Sequence, residues 1–399
     1  MRIRWAWCAG LVAALIVAGP AGVATGRDDL QEAARVGAIA SADGRELFRE
    51  TFGAREGAAA IMVAASARTI LIELRRCFSD DRRYRRGDRT VVALDAASGN
   101  ERWRENDASV RPVRDYETTF GAGWAGYPPG PIPIQDVKRQ PLLRVVDPDT
   151  GRELWRTWPS RVELIAADRA SFITTEAVAF DESLAPPMEP VEIRAVSRRD
   201  GRVRWTSDLP PAMRPFSAAS DGDLAVVSAL SPLGPGQSVA TEKLVVFDSR
   251  TGSRVSEIDL LPGTFPFDLQ VQNGVVVFTA GGTVEAFDAR SAAHLWTHTE
   301  ARATRDLAHR HRVIVRGRDG AIDALDVRTG GTVWSVAGEN LGVSRAGSVV
   351  LIADGKRVSA RRLDDGVELW SRRLKSTGFV AGATEYFVTA DGCLTTTAD

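Results

Sequence analysis

Three cysteines in 399 residues, at 8, 77 and 393 with no adjacent pair, leave little sulfur for redox chemistry or a metal cluster. Lysine occurs only at 138, 243, 356 and 375, and asparagine only at 100, 106, 273 and 340. The formal net charge is −1, so no global electrostatic attraction to nucleic acid or an anionic membrane is expected. Arginine is abundant, but Asp and Glu are interspersed with it, which reads as compositional habit rather than a basic surface. A Gly-rich phosphate loop, a His-Glu-x-x-His helix and a Gly-x-Ser-x-Gly elbow are all absent. Beyond the first two dozen residues no apolar run is long enough to span a bilayer.

The four histidines, 294, 298, 309 and 311, lie close together in sequence and invite examination as a metal site. His294 and His298 are four residues apart on one strand face, about 13 Å at strand rise, too far to share an ion directly. They read as surface imidazoles, and no metal or cofactor is expected.

The N-terminus reads as an export signal. Arg2 and Arg4 precede an apolar run from Trp5 to about Ala18, and Gly22-Val23-Ala24 offers small residues for cleavage after Ala24. Residues 1–24 are therefore expected to be a signal peptide and 25–399 one soluble domain, secreted or periplasmic; an uncleaved N-terminal anchor is the alternative. Cys8 lies before the apolar core and does not fit a lipoprotein box.

What the chain does have is a repeat. A short alternating apolar run, an Asp or Ser, a Gly-containing turn and then an aromatic residue four places after the Gly recur along its length. Val91-Val92-Ala93-Leu94-Asp95 leads through Ser98-Gly99 to Trp103, and Leu143 to Asp147 leads through Thr150-Gly151 to Trp155. Further copies pair Gly201 with Trp205, Gly330 with Trp334, Gly366 with Trp370 and Gly44 with Phe48. Two copies deviate: Gly252 is followed by Ser256, and Trp296 is preceded by Ala292 in the glycine place. Successive Gly positions are separated by 55, 52, 50, 51, 40, 38 and 36 residues. Periods in this range mark units that bury their apolar faces only by stacking on one another.

Each motif position has a physical reason. Two-residue alternation puts side chains on opposite strand faces. The Asp accepts a backbone N–H two residues on, and Gly tolerates the positive φ that closes the hairpin. The Trp carries a large apolar ring that a thin sheet buries only against its neighbour.

These residues resemble the PQQ-like, quinoprotein-type β-propeller repeat, whose units read like Ala-Leu-Asp-x-x-Thr-Gly-x-x-x-Trp. The resemblance covers nearly the whole mature chain and implies an all-β propeller of four-stranded blades, the motif spanning strands three and four. It implies that Phe48, Trp103, Trp155, Trp205, Trp296, Trp334 and Trp370 dock between blades, with Gly44, Gly99, Gly151, Gly201, Gly252, Gly330 and Gly366 at the turns. Ser256 marks the least tightly docked blade.

Seven complete units end at residues 103, 155, 205, 256, 296, 334 and 370. Tyr386–Ala390 and Cys393–Asp399 then look like two strands of an eighth, whose last turn and strand come from residues 42–48. Eight blades are expected, closed by pairing residues near 44–50 with residues near 393–399; seven blades are the alternative. Closure removes exposed sheet edges. It also brings Cys77 and Cys393 onto adjacent blades, where they form a disulfide or stay as two free thiols.

The early units are longer, and the extra length is assigned between strands two and three: Arg76 to Arg89, Gly121 to Pro141, Ala177 to Pro190 and Ser231 to Lys243. All four inserts are expected on one face, which in repeat arrays is often the binding face. The first carries Arg82, Arg83, Arg85 and Arg86, a run that meets an acidic partner or is simply solvated. At the second, the stretch Tyr116 to Ile134 carries Tyr116, Phe120, Trp124 and Tyr127 with prolines 128, 129, 131 and 133, either a stiffened contact surface or a plug over the central channel.

Quinoprotein dehydrogenases share the repeat, and as a class hold their quinone between a Trp and a disulfide of adjacent cysteines. The absence of such a pair and the scarcity of Asn argue against that chemistry. The expectation is a monomeric, non-enzymatic scaffold that binds an envelope or extracellular protein, similar to the BamB-type outer-membrane assembly propeller. An extracellular ligand-binding or sensor propeller is the alternative.

Overall fold

The computed structural model describes residues 34–40, 46–52, 59–65, 68–75, 89–110, 130–136, 143–157, 162–176, 190–231, 242–261, 264–299, 302–309, 311–317, 320–343, 348–354, 357–373, 379–382 and 386–391. Among these residues the regular structure is entirely β, arranged as eight four-stranded antiparallel sheets. Seven sheets use four consecutive strands: blade 1 over residues 59–106, blade 2 over 108–157, blade 3 over 162–208, blade 4 over 214–259, blade 5 over 267–298, blade 6 over 302–337 and blade 7 over 339–373. The eighth is a composite of both ends of the chain, with Phe379–Gly382 and Tyr386–Asp391 followed by Ala34–Ala40 and Glu46–Phe52.

The architecture is thus the expected propeller, but its closure differs in detail. The chain ends meet where Ala34–Ala40 pairs with Tyr386–Asp391, from Arg35 opposite Asp391 to Ala40 opposite Tyr386. Glu46–Phe52 pairs with Ala34–Ala40, which takes the place expected for residues 393–399; those residues lie outside the described ones. Tyr386–Ala390 forms a strand of the composite blade as expected, but the sequence reading missed Phe379–Gly382 before it, and it missed Ala34–Ala40, whose alternation Arg35 and Gly37 interrupt, giving the place of that strand to residues 393–399.

One irregularity marks all eight blades as copies. In every pairing of strands three and four the register slips once beside the motif position four after the turn residue, aromatic in seven blades and Ser256 in blade 4: between Ala93 and Leu94 opposite Trp103, for example, and between Ala38 and Ile39 beside Phe48. Such a bulge twists the outer strand and re-aims its side chains. Across the ladder the aromatic faces a small residue: Ala93 for Trp103, Ala195 for Trp205, Ala286 for Trp296, Ala324 for Trp334 and Ala360 for Trp370.

The core lies between blades rather than within one. Val226, Val246, Val271 and Phe278 pack at the seam of blades 4 and 5, and Val277, Trp296, Val313 and Leu325 at that of blades 5 and 6. Strands two and three carry these residues in nearly unbroken runs, such as Val275 to Phe278, all fully buried. Both sheet faces meet a neighbouring blade, so the simple inside-outside alternation is lost there.

Candidate functional site

The repeat motif builds the seams. Its Asp carboxylate caps the hairpin: Asp95 Oδ1 accepts the N–H groups of Ala97 and Ser98, at 3.0 and 2.9 Å. Asp248, Asp288 and Asp326 repeat this pattern in their own turns. The Arg102 guanidinium, 2.6 Å from Asp95, and the Ser98 N–H hold the Asp95 carboxyl down at about 2.

Each docking tryptophan then reaches into the next blade. Indole N–H groups donate to a backbone carbonyl one residue past the capping position: Trp103 to Pro148, Trp155 to Arg198, Trp205 to Ser249, Trp296 to Val327 and Trp334 to Leu363, at 2.7 to 3.0 Å. The rings lie on the turn glycines. A Cβ on Gly252, Gly330 or Gly366 would sit 2.7 Å from an atom of Trp205, Trp296 or Trp334, and these glycines have φ of 73°, 69° and 72°. Glycine is needed there twice, for its φ and for the ring above it. Gly151 and Gly201 stand likewise under Trp103 and Trp155, and Gly99 has φ 77°. Gly44 and the side chain of Phe48 lie outside the described residues; Trp370 is placed on its strand opposite Ala360.

The inserts do not all emerge on one face. Residues 76–88, 177–189 and 232–241 do connect strands two and three of blades 1, 3 and 4. In blade 2, however, strand one is Ala108–Val110 and strand two is Ile132–Asp136, with residues 111–129 between them. The aromatic and proline insert therefore joins strands one and two and leaves from the opposite face, that of the Asp-Gly hairpins. The sequence reading took Ile132–Asp136 for part of the insert because Pro133 interrupts it. Tyr116, Phe120, Trp124, Tyr127, Arg82, Arg83, Arg85, Arg86, Cys77 and Cys393 all lie outside the described residues.

Both described ends of that insert are held by buried charged side chains from the flanking blades. On the entry side Glu73 of blade 1, only 2% exposed, accepts from the Val110 N–H at 3.2 Å and the Ser109 hydroxyl at 2.9 Å, with Arg89 3.3 Å away. On the exit side Arg198 of blade 3, 1% exposed, donates through Nε and Nη2 to the Pro131 carbonyl at 3.0 and 2.6 Å. Its Nη1 donates to the Asp168 carbonyl at 2.7 Å, and the guanidinium lies over the Phe172 ring at 5.3 Å. The Asp168 carboxylate accepts from Ser171 N and from Ser220 Oγ of blade 4. One polar chain thus runs from Pro131 through Arg198 and Asp168 to Ser220, across three blades.

The sequence reading missed Glu73, Asp168 and Arg198. The repeat did hold a clue, since Arg198 occupies the place taken elsewhere by Pro148, Ser249, Ala289, Val327 and Leu363, a small or apolar buried position. Among the histidines, the His294 ring packs edge-on against Phe287 and His311 pairs with Asn273. Among the described residues no three His, Cys, Asp or Glu side chains gather as a metal site.

Blades closed by both chain termini, with an indole from one blade on the turn glycine of the next, define a PQQ-like β-propeller. The family model described as outer membrane protein assembly factor BamB matches residues 191–335 and 318–398, together more than half of the chain, and the protein belongs to that family. No curated protein sequence matches it. Among solved structures it is similar to BamB from Moraxella catarrhalis, with 14% identity, coverage of 81% of this chain and 87% of that one, and a TM-score of 0.45. It is also similar to AztD from Citrobacter koseri, at 13% identity, 90% and 98% coverage and 0.48. Quinohemoprotein alcohol dehydrogenase from Comamonas testosteroni is similar at 13% identity, 83% and 71% coverage and 0.44.

Proposed function

We propose that this chain is an exported, monomeric, non-enzymatic scaffold that holds a protein partner of the cell envelope or exterior on the hairpin face of blades 1 to 3. The reading is supported by the anchoring of one insert. A long connection is entropically expensive to order on binding, and here a buried acid from blade 1 and a buried base from blade 3 fix where it leaves and re-enters the ring. Uncompensated burial of such groups is costly, so their placement at these two points marks Val110 and Pro131 as fixed ends of the connection. The aromatic and proline content of residues 116–131 suits contact with a partner.

The experiment replaces residues 114–128 with a Gly-Ser linker, leaving Val110 and Pro131 in place, and compares capture of envelope proteins by the two chains. Loss of a specific partner with the thermal midpoint unchanged supports the reading; capture of the same partner by both chains removes this insert as the contact. A ligand-binding propeller is the second reading, favoured by unpartnered buried polar groups between blades 4 and 5.

A further inference from the structure

At the end of the blade 4 to blade 5 seam that bears the strand two to three connection, three buried polar side chains point away from any partner. Glu242 opens strand three of blade 4, is fully buried, and has no hydrogen-bond partner at either carboxyl oxygen. The hydroxyls of Ser217 and Ser228 are likewise buried and unpartnered. Register puts them on one sheet face. Ser217 pairs with Ser228, Ser228 with Leu244, and Leu230 with Glu242, so the strand alternation aligns Ser217, Ser228 and Glu242 with Leu224, Val226 and Leu244, which pack toward blade 5.

The same end of the seam is aromatic and partly open. A register slip between Pro215 and Ser217 places Phe216 beside Ser217. Its ring contacts Phe265 and Phe267 of the next blade at centroid separations of 6.3 and 6.4 Å. Phe265 and Phe267 are 39% and 41% exposed, unusual for adjoining rings on a surface otherwise crowded with charge.

We propose that this seam is a binding site for a primary ammonium group carried on an apolar body, the ammonium meeting Glu242, Ser217 and Ser228 and the body lying against Phe216, Phe265 and Phe267. An alkylammonium has three N–H donors, matching one carboxylate and two hydroxyl acceptors, and aromatic faces favour a cation nearby. Each buried polar atom left unpaired costs free energy that a donor-rich guest relieves. The inference does not rest on the scaffold reading.

Glu242 gives the test its readout. Burial pushes the Glu242 carboxyl up to about 8. The charged groups at this end are Arg214 on strand one of blade 4, Lys243 next to Glu242, Glu257 and Asp259 on the outer strand, and Asp268 of blade 5. Lys243 is held by Glu257 and Asp259, at 3.1 and 2.9 Å, and Asp268 by the Thr279 hydroxyl at 2.9 Å. Desolvation alone raises Glu242. An arriving ammonium ionises it, so binding near pH 7 releases close to one proton.

The test is calorimetry of the purified full chain with 2-phenylethylammonium chloride at pH 7, in phosphate and in MOPS, neither of which carries a primary ammonium and whose different ionisation enthalpies count protons. Saturable binding with proton release, absent for 2-phenylethanol and weakened about tenfold or more in Glu242→Gln, is the expected result. A capped peptide with one lysine between leucines forms the second arm. Tighter binding of the peptide assigns the site to a partner's lysine, and tighter binding of the amine assigns it to a free amine. No saturable binding of either up to about 10 mM, or equal amine affinity in wild type and Glu242→Gln, overturns the proposal. Ser228→Ala serves as a second variant if Glu242→Gln loses its native circular dichroism.

Discussion

Ser256 and Ala292 replace a tryptophan and a glycine together, at the two matching places of one seam. The Ser256 hydroxyl donates to the Ala289 carbonyl at 2.5 Å, the bond that an indole N–H makes elsewhere. Ala292 keeps the left-handed φ of the turn at 59° although it carries a Cβ. The seam thus retains the hydrogen bond, gives up the ring, and thereby releases the partner turn from its need for glycine.

Glycine should therefore matter only where an indole covers it. Gly252→Ala, beneath Trp205, is expected to cost about 2–4 kcal/mol from left-handed strain and overpacking, whereas Ala292→Gly should stay within about 1 kcal/mol of wild type. Urea midpoints at constant slope measure both.

The same relationship forecasts coupling. Ser256→Trp alone should destabilise, because its ring meets the Ala292 methyl, and adding Ala292→Gly should recover about 1 kcal/mol or more in a double-mutant cycle. Additive effects would mean that the seam does not accept the repeat geometry.

Arg198 is the anchor most sensitive to substitution. Arg198→Met strips donors from the half-buried Pro131 carbonyl and the buried Asp168 carbonyl and is expected to cost about 3 kcal/mol. Arg198→Lys should recover little, since one ammonium does not reproduce the planar fork that spans both carbonyls. Denaturant unfolding gives the energies, and faster proteolysis within residues 111–129 would report the released insert.

Two carboxyl groups give opposite pH signatures. Glu242 is raised from 4.5 to about 8, so the native state binds more protons than the unfolded chain between those values. Stability should fall as pH rises through that window, and Glu242→Gln should flatten the fall. Asp95 is lowered from 3.8 to about 2. Its contribution is present above 3.8 and lost as pH falls through about 2, a loss that Asp95→Asn should abolish. Thermal midpoints from pH 2 to 9 for the three chains test both.

The repeated hairpin was legible in sequence because each motif residue answers to a local demand: Asp for the turn N–H groups, Gly for φ, Trp for the ring. Strand Ala34–Ala40 was not, since its place is fixed by pairing with residues some 350 positions away, Arg35 meeting Asp391. The insert of blade 2 was assigned to the wrong connection because its first strand, Ala108–Val110, is only three residues long. Arg198 was legible only as a charge at an apolar place in the repeat, and Glu73 and Glu242 were invisible for a different reason. In a chain this rich in charge, only burial separates a structural acid or base from a solvated one.

The most direct test of the scaffold reading places a photo-crosslinking amino acid at Trp124 and, in a second chain, at Val333, which is exposed on the outer strand of blade 6. Both chains are irradiated in the intact cell envelope. The account expects a discrete crosslinked protein from position 124 and not from 333. Equal labelling from both positions, or none from 124 in a chain that folds and is exported, would contradict it.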